Sequence, residues 1–332
     1  MISIPDFIKL PYTPDLTEGG IAYAVRSLPH SHEHMGGSLY SRLRRIVGSV
    51  AVELAFRRAL SERSIPFEVK SAAPFSDPDH YDVSLGGHRC DIKTFIMSKR
   101  TQISTTRRDP GMVLQAPAMV PSDQFAAENH SDQDIYLFAF LFGLTTNSPE
   151  EIRKAVDAGQ RIHLVHPFQV DWLRPQAWVS LGQLAIKSEC PFPVNVEIGG
   201  QDAERNFITE TIHLEPLTRS HALNDYYSLA YIHIDRIPEA RLGIHSPTRS
   251  ETYIIQPHEW GNVWIYGMET WLTGYITHDE FRRKASAIFA GSRVFQYSKT
   301  QTKNLCVPVA DLRPLSELFE RVKEWEESKK NW

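Results

Sequence analysis

The residue types best suited to chemistry are concentrated in Tyr81-Asp82-Val83-Ser84-Leu85-Gly86-Gly87-His88-Arg89-Cys90-Asp91-Ile92-Lys93. Gly86-Gly87 between two strand-like runs predicts a two-residue hairpin turn, whose favoured forms need positive φ. Pairing outward from that turn sets Val83 opposite Cys90 and Asp82 opposite Asp91. Side chains alternate along a strand, so Lys93 leaves the same face as Asp91. Val83, Leu85, Cys90 and Ile92 share the other, apolar face. Two carboxylates facing each other at about 5 Å repel unless a cation sits between them. A hard divalent ion such as Mg²⁺ (or Mn²⁺) takes one or two carboxylates plus water and phosphate oxygens. It acidifies a bound water and neutralises charge growing on a phosphate, and a neighbouring lysine orients that water or stabilises the charge. Asp82, Asp91 and Lys93 are thus the minimum parts for phosphodiester hydrolysis.

The flanking sequence supplies elements to position them. Ser38 caps a stripe of Leu39, Leu43, Ile46, Val47, Val50 and Leu54 at three- and four-residue steps, predicting a long helix that Pro66 stops. Short β-type runs follow at Phe67–Lys70, His80–Leu85 and His88–Ile96. Residues 98–133 are polar and Pro-containing and read as loops, and Ile135–Leu144 has the continuous apolar texture of a strand buried on both faces. Pro149 opens a short helix to Gly159, and Arg161–Val165 reads as another strand.

These residues resemble the PD-(D/E)XK nuclease superfamily, the restriction-endonuclease-like fold. Its pattern is an acid on one strand and an acid-x-Lys triplet on the next, here Asp82 and Asp91-Ile92-Lys93. Many members place a glutamate on the preceding helix, and Glu53 matches it, on the edge of the apolar stripe. The order of elements is similar to the family's αβββαβ core. Tyr81 rather than Pro precedes Asp82, while a literal Pro78-Asp79 lies upstream, at a spacing that would aim Asp79 to the other face. The resemblance covers about residues 38–145. It implies a metal-dependent endonuclease, with Asp82, Asp91 and Glu53 around Mg²⁺ and Lys93 at the attacking water. It also implies DNA ahead of RNA as substrate, a role in restriction or anti-phage defence, and a homodimer or partner subunit. The alternative on the same fold is a catalytically silent module that binds nucleic acid or protein.

Lys99, Arg100, Arg107 and Arg108 follow the acid-x-Lys strand with no acidic residue among them, a composition suited to a phosphate backbone. Gln115 after this stretch reads as a surface residue or an assistant at the site. His30, His32 and His34 form a second candidate metal cluster, read mainly as surface loop. His163 and His166 read as structural, His80 mainly as an ordinary strand residue with a supporting role at the site as the alternative, and Trp260, Trp264, Tyr266 and Trp271 as core rather than a base-stacking platform.

The composition excludes several classes. A net charge of −4 rules out a global polycation, and Cys90, Cys190 and Cys306 are too few and too far apart for a disulfide framework or a cysteine zinc site. No signal peptide is read at Met1–Leu10, and no apolar run reaches membrane-spanning length. The expectation is a cytoplasmic α/β (α+β) protein in three parts: an irregular lead-in at 1–37, the nuclease-like domain at 38–166, and a β-rich recognition domain with C-terminal helices at 167–332. In the last part the strand-like runs are Val179–Ile186, Val194–Ile198, Ile208–Leu214, Tyr227–Ile234, Tyr253–Gln256 and Asn262–Tyr266. A capping box at Thr277 and Glu280 precedes a helix over Phe281–Ala290, and Pro314 opens the last helix.

Overall fold

The computed structural model describes residues 1–30, 38–69, 83–127 and 131–330, and the protein is a mixture of helices and sheets. Asp79, His80, Tyr81, Asp82, His32 and His34 lie outside the described residues.

The amino-terminal part contributes β1 (Ile8–Pro11) and α1 (Pro14–Ser27), followed by α2 (Leu39–Glu62). Val47, Ala51, Val52, Ala55, Phe56 and Ala59 of α2 are buried, the stripe that makes this segment a helix. Its end is a Schellman closure: Ser64 takes φ +53°, while Ser64 N and Ile65 N donate to the Ser61 and Leu60 carbonyls. The hairpin follows as β2 (Val83–Leu85) and β3 (His88–Met97), preceded by an isolated antiparallel bridge between Glu68 and Ser84. Gly86 and Gly87 adopt φ +58° and +87°, and Val83 pairs with Cys90, Ser84 with Arg89 and Leu85 with His88, as the sequence predicts.

The stretch expected to be loops holds α3 (Arg100–Arg108), α4 (Gly111–Leu114), β4 (Pro117–Pro121) and α5 (Ser122–Ala127). The reason is tertiary. Helix α3 buries only Ile103 and Thr106, too thin a stripe to read in sequence, and the partner of β4 lies far downstream. Next comes β5 (Ile135–Thr145), with every residue from Ile135 to Gly143 buried, and then α6 (Pro149–Asp157). Ser148 caps α6, its Oγ accepting from the Glu151 amide.

The middle of the chain adds β6 (Leu164–Pro167), α7 (Val170–Leu173), β7 (Ala185–Ser188), β8 (Val194–Gln201), β9 (Phe207–Leu214) and β10 (Arg219–His221). Strands β11 (Ser228–Ile234), β12 (Leu242–His245), β13 (Tyr253–Ile255) and β14 (Gly261–Asn262) complete it. The expected strand at Val179–Ile186 begins only at Ala185. The chain ends with β15 (Ile265–Thr277), α8 (His278–Lys284), β16 (Ser286–Ile288), β17 (Asn304–Pro308) and α9 (Leu315–Lys330). Thr277 Oγ1 caps α8 by accepting from the Glu280 amide. The helix stops short of Ala290 because Ala285 turns extended and β16 pairs with β17.

By contacts the chain divides into two units, each drawn from separated segments. The first is Met1–Gly20, Arg45–Leu144 and Ile265–Trp332, and the second is Ile21–Arg44 and Thr145–Trp264. The expected boundaries at 37/38 and 166/167 coincide with none of the junctions, at 20/21, 44/45, 144/145 and 264/265. Strand β6 pairs with β11 and β14, so α6 and β6 fall in the second unit. The C-terminal helices fall in the first, because β15 enters its main sheet, ordered β1-β15-β5-β3-β2. Strands β3 and β5 are parallel, and the elements from α3 to α5 form the crossover that such a pair requires.

Within the second unit, the sheets β14-β6-β11-β8-β9 and β10-β7-β12-β13 share one core. Val194, Val196 and Ile198 of β8 meet Ile186 of β7 and Leu242 and Ile244 of β12 there.

Candidate active site

The parallel register of β3 on β5 sets Asp91 beside Tyr136, Lys93 beside Phe138 and Phe95 beside Phe140. Paired residues share a face, and the Phe95 and Phe140 rings meet at 5.2 Å. Asp91, Lys93, Phe95 and Met97 therefore form one face of β3. Helix α2 covers the other, where Gly48 sits so close to Ile96 that a Cβ would overlap its side chain.

On the first face Lys93 Nζ lies 2.5 Å from Asp91 Oδ2, with only 13% and 14% of the two side chains exposed. The same ammonium donates to Gln124 Oε1 of α5 at 3.4 Å and stands 5.5 Å from the centre of the Tyr136 ring. Tyr136 is buried against Phe281 and His278, which stacks on Phe125 at 4.8 Å. This apolar backing restricts water and strengthens the pair. Asp134, also buried, accepts from the Arg89 and Ser131 amides and so ties the start of β5 to the hairpin. From the opposite side Trp325 of α9 packs on His88, with ring centres 4.4 Å apart.

Asp91 and Lys93 are brought together as their spacing predicts. Glu53 is not joined to them: its carboxylate pairs with Arg57 one turn along α2, and no hydrogen bond or ion pair links it to Asp91 or Lys93 among the described residues. Burial raises the Glu53 carboxyl above its ordinary range, and the Arg57 charge opposes that shift. Asp82, the partner expected across the hairpin, lies outside the described residues. Among the described residues no three His, Cys, Asp or Glu side chains converge as a metal cluster. Asp91 offers one hard oxygen donor, and Mg²⁺ needs only one or two protein carboxylates.

The expected backbone contacts all lie on α3, with Lys99 as its N-cap and Arg100, Arg107 and Arg108 exposed along it. Eight residues of helix separate Arg100 from Arg108, about 12 Å. Arg107 Nε is held by Glu269 Oε1 at 2.5 Å. Lys99 and Arg100 sit at the positive end of the helix dipole, where a cation lowers helix stability and an anion would be welcome.

Gln115 is exposed, and Gln124 is the glutamine at Lys93. Gln124 and Tyr136 carry no motif signal, because only the crossover and the parallel register bring them to the pair. His163 stacks on His233 with ring centres 3.7 Å apart, and His166 bonds Tyr253 Oη and the Glu259 carbonyl, both structural. Trp260, Trp264 and Trp271 are buried core. Cys90, Cys190 and Cys306 are buried and form no disulfide, and no helix among the described residues is long and apolar enough to cross a membrane. No family model, no curated protein and no solved structure matches the chain.

Proposed function

We propose that the protein is a metal-dependent endonuclease acting on DNA, with its chemistry on the β2–β3 hairpin. The observation that carries this reading is the Asp91–Lys93 pair, an acid and a lysine on one face of a hairpin strand with aromatic backing. The order helix α2, Glu68 bridge, hairpin, crossover and parallel strand β5 supports the resemblance to the PD-(D/E)XK nucleases, although the crossover here holds three helices and the strand β4 where the αβββαβ pattern has one helix.

Asp91, with Asp82 as the sequence register pairs it, would hold Mg²⁺ or Mn²⁺, while Glu53 stays with Arg57 on the helix behind the strand. When bound, the metal supplies an activated water and charge neutralisation at the phosphate. Lys93 would then orient the attacking water and offset negative charge on the phosphate, with Asp91 fixing the ammonium in place. Gln124 holds the lysine from the other side. Lys99, Arg100 and Arg108 on α3 are the candidate grip on the backbone, and Arg107 joins them by leaving Glu269.

A second reading keeps the fold and removes the turnover. The pairing of Glu53 with Arg57 favours it, because that carboxylate is already neutralised within its own helix. Plasmid and single-stranded DNA incubated with Mg²⁺ or Mn²⁺ separate the two. Cutting by the wild type that disappears in Asp91→Ala and Lys93→Ala supports the enzyme, and cutting equal in all three removes the hairpin from the chemistry. Metal-independent binding without cutting is the result expected of the silent module.

A further inference from the structure

The sheet β10-β7-β12-β13 of the second unit buries one face in the core and turns the other outward. Register decides which side chains share the outward face. Lys187 of β7 stands between Arg219 of β10 and Gly243 of β12, and Ala185 stands between His221 and His245. Ala185 and Gly243 raise no tall side chain. The face is therefore hollowed into a depression of about 260 Å³, rimmed by Lys187, Arg219, Arg241, His245 and Ile254 together with the acid Glu189.

Lys187 and Arg219 are like charges directly opposed across two strands, an arrangement that costs a sheet stability. Among the described residues the Arg219 guanidinium makes no hydrogen bond or ion pair. Lys187 and Arg241 both turn to a single carboxylate, Glu189, at 3.9 and 2.9 Å. Three cations thus share one acid on a chain of net charge −4. Glu189 holds Arg241 in a two-point pair and lies within reach of Lys187, which leaves the face with excess positive charge and Arg219 without an acid among the described residues, so an anion from outside is the compensation available to it. Arg219 and Lys187 stand on the adjacent strands β10 and β7 and Arg241 directly precedes β12, the third, so the cations spread over about 10 Å at the ordinary strand spacing. That width suits successive phosphates of a strand better than one small anion. Ile254, 49% exposed at the rim, adds an apolar contact for a sugar or base.

We propose that this face binds the phosphate backbone of DNA, in a second contact region separate from the hairpin and α3. The choice of DNA rests on the nuclease reading; the binding itself is independent of cutting. Full-length protein is titrated onto a fluorescein-labelled DNA duplex in EDTA across a NaCl series. Arg219→Ala and Lys187→Ala should each weaken binding about tenfold near 0.1 M salt and lower the slope of log K against log salt by about one. Arg219→Lys should restore both, and Lys154→Ala, an equal charge change on α6, should alter neither. Thermal unfolding provides the fold control: Arg219→Glu replaces a like-charge pair with an opposite one, so it should lose binding while melting no lower than the wild type.

Wild-type affinity and slope in both alanine variants would overturn the proposal, as would no binding by the wild type or an equal loss in Lys154→Ala. Binding to polyglutamate with none to DNA would overturn it in favour of an acidic protein partner. If the wild type cuts DNA and the variants bind normally, this face fails and the nuclease reading stands. Salt-dependent binding lost in Arg219→Ala, by a protein that never cuts, supports the face and removes the nuclease.

Discussion

Lys93 Nζ rests 2.5 Å from Asp91 Oδ2, two residues back on the same face of one strand. Each side chain is therefore the other's neutralising partner until a metal or phosphate competes for it. Removing either takes this contact from the other in a setting only about one-seventh exposed. Asp91→Ala and Lys93→Ala should each abolish the proposed metal-dependent cleavage and destabilise the first unit by about 1–3 kcal/mol, read from urea unfolding. The double variant should cost less than the two singles together, because both remove the same contact. Additive losses would mean that the two residues act separately.

The sheet behind this pair is completed from the far end of the chain. Strand β15 lies between β1 and β5, and β4 pairs with β17. A fragment ending at residue 166 would leave the buried β5 with an open edge and no cover. It should therefore aggregate or give no dispersed amide spectrum, although it contains Asp91, Lys93 and Glu53. A soluble, cooperatively melting fragment would contradict the interleaved architecture.

Gly86 and Gly159 separate backbone strain from crowding. Both take positive φ, +58° and +67°. A Cβ on Gly86 would lie 2.6 Å from the Trp325 ring, whereas one on Gly159 would meet nothing within 4 Å. Gly159→Ala should cost about 1 kcal/mol, the left-handed backbone alone. Gly86→Ala should cost about 1–3 kcal/mol more, since α9 must withdraw from the hairpin or strain against it. Chemical denaturation of the two variants checks the ordering, and equal costs would show that α9 yields freely.

His163 sets an acid limit on the second unit. Burial, reinforced by the neighbouring His233, depresses its pKa from 6.5 to about 3, and burial also lowers His233 and His166. The unfolded chain protonates these rings near pH 6.5 while the fold resists, so the unfolded state binds more protons and stability falls with pH across that window. His163 alone accounts for about 1.4 kcal/mol per pH unit well inside it. His163→Phe keeps a flat ring over His233 and removes this proton uptake. Its urea midpoint should decline less steeply between pH 6 and 4 than that of the wild type, and parallel declines would show His163 titrating freely.

Local patterns in the sequence determined the α2 helix, the Gly86-Gly87 hairpin and its register, the buried strand β5, the Ser148 and Thr277 caps, and the shared face of Asp91 and Lys93. Each of these follows from three- or four-residue periodicity, strand alternation or turn chemistry, which act between neighbours in the chain. Tertiary structure alone decided that α2 lies on the face of β3 opposite Lys93, and that Glu53 turns to Arg57. It also supplied Gln124 and Tyr136 to the pair, gave residues 98–127 their helices, and moved β15, α8 and α9 into the first unit. Most of those outcomes depend on packing between segments separated in the chain, from Gln124 on Lys93 to β17 on β4. A single stretch of sequence records that a face is apolar, but it does not record which distant surface will cover it.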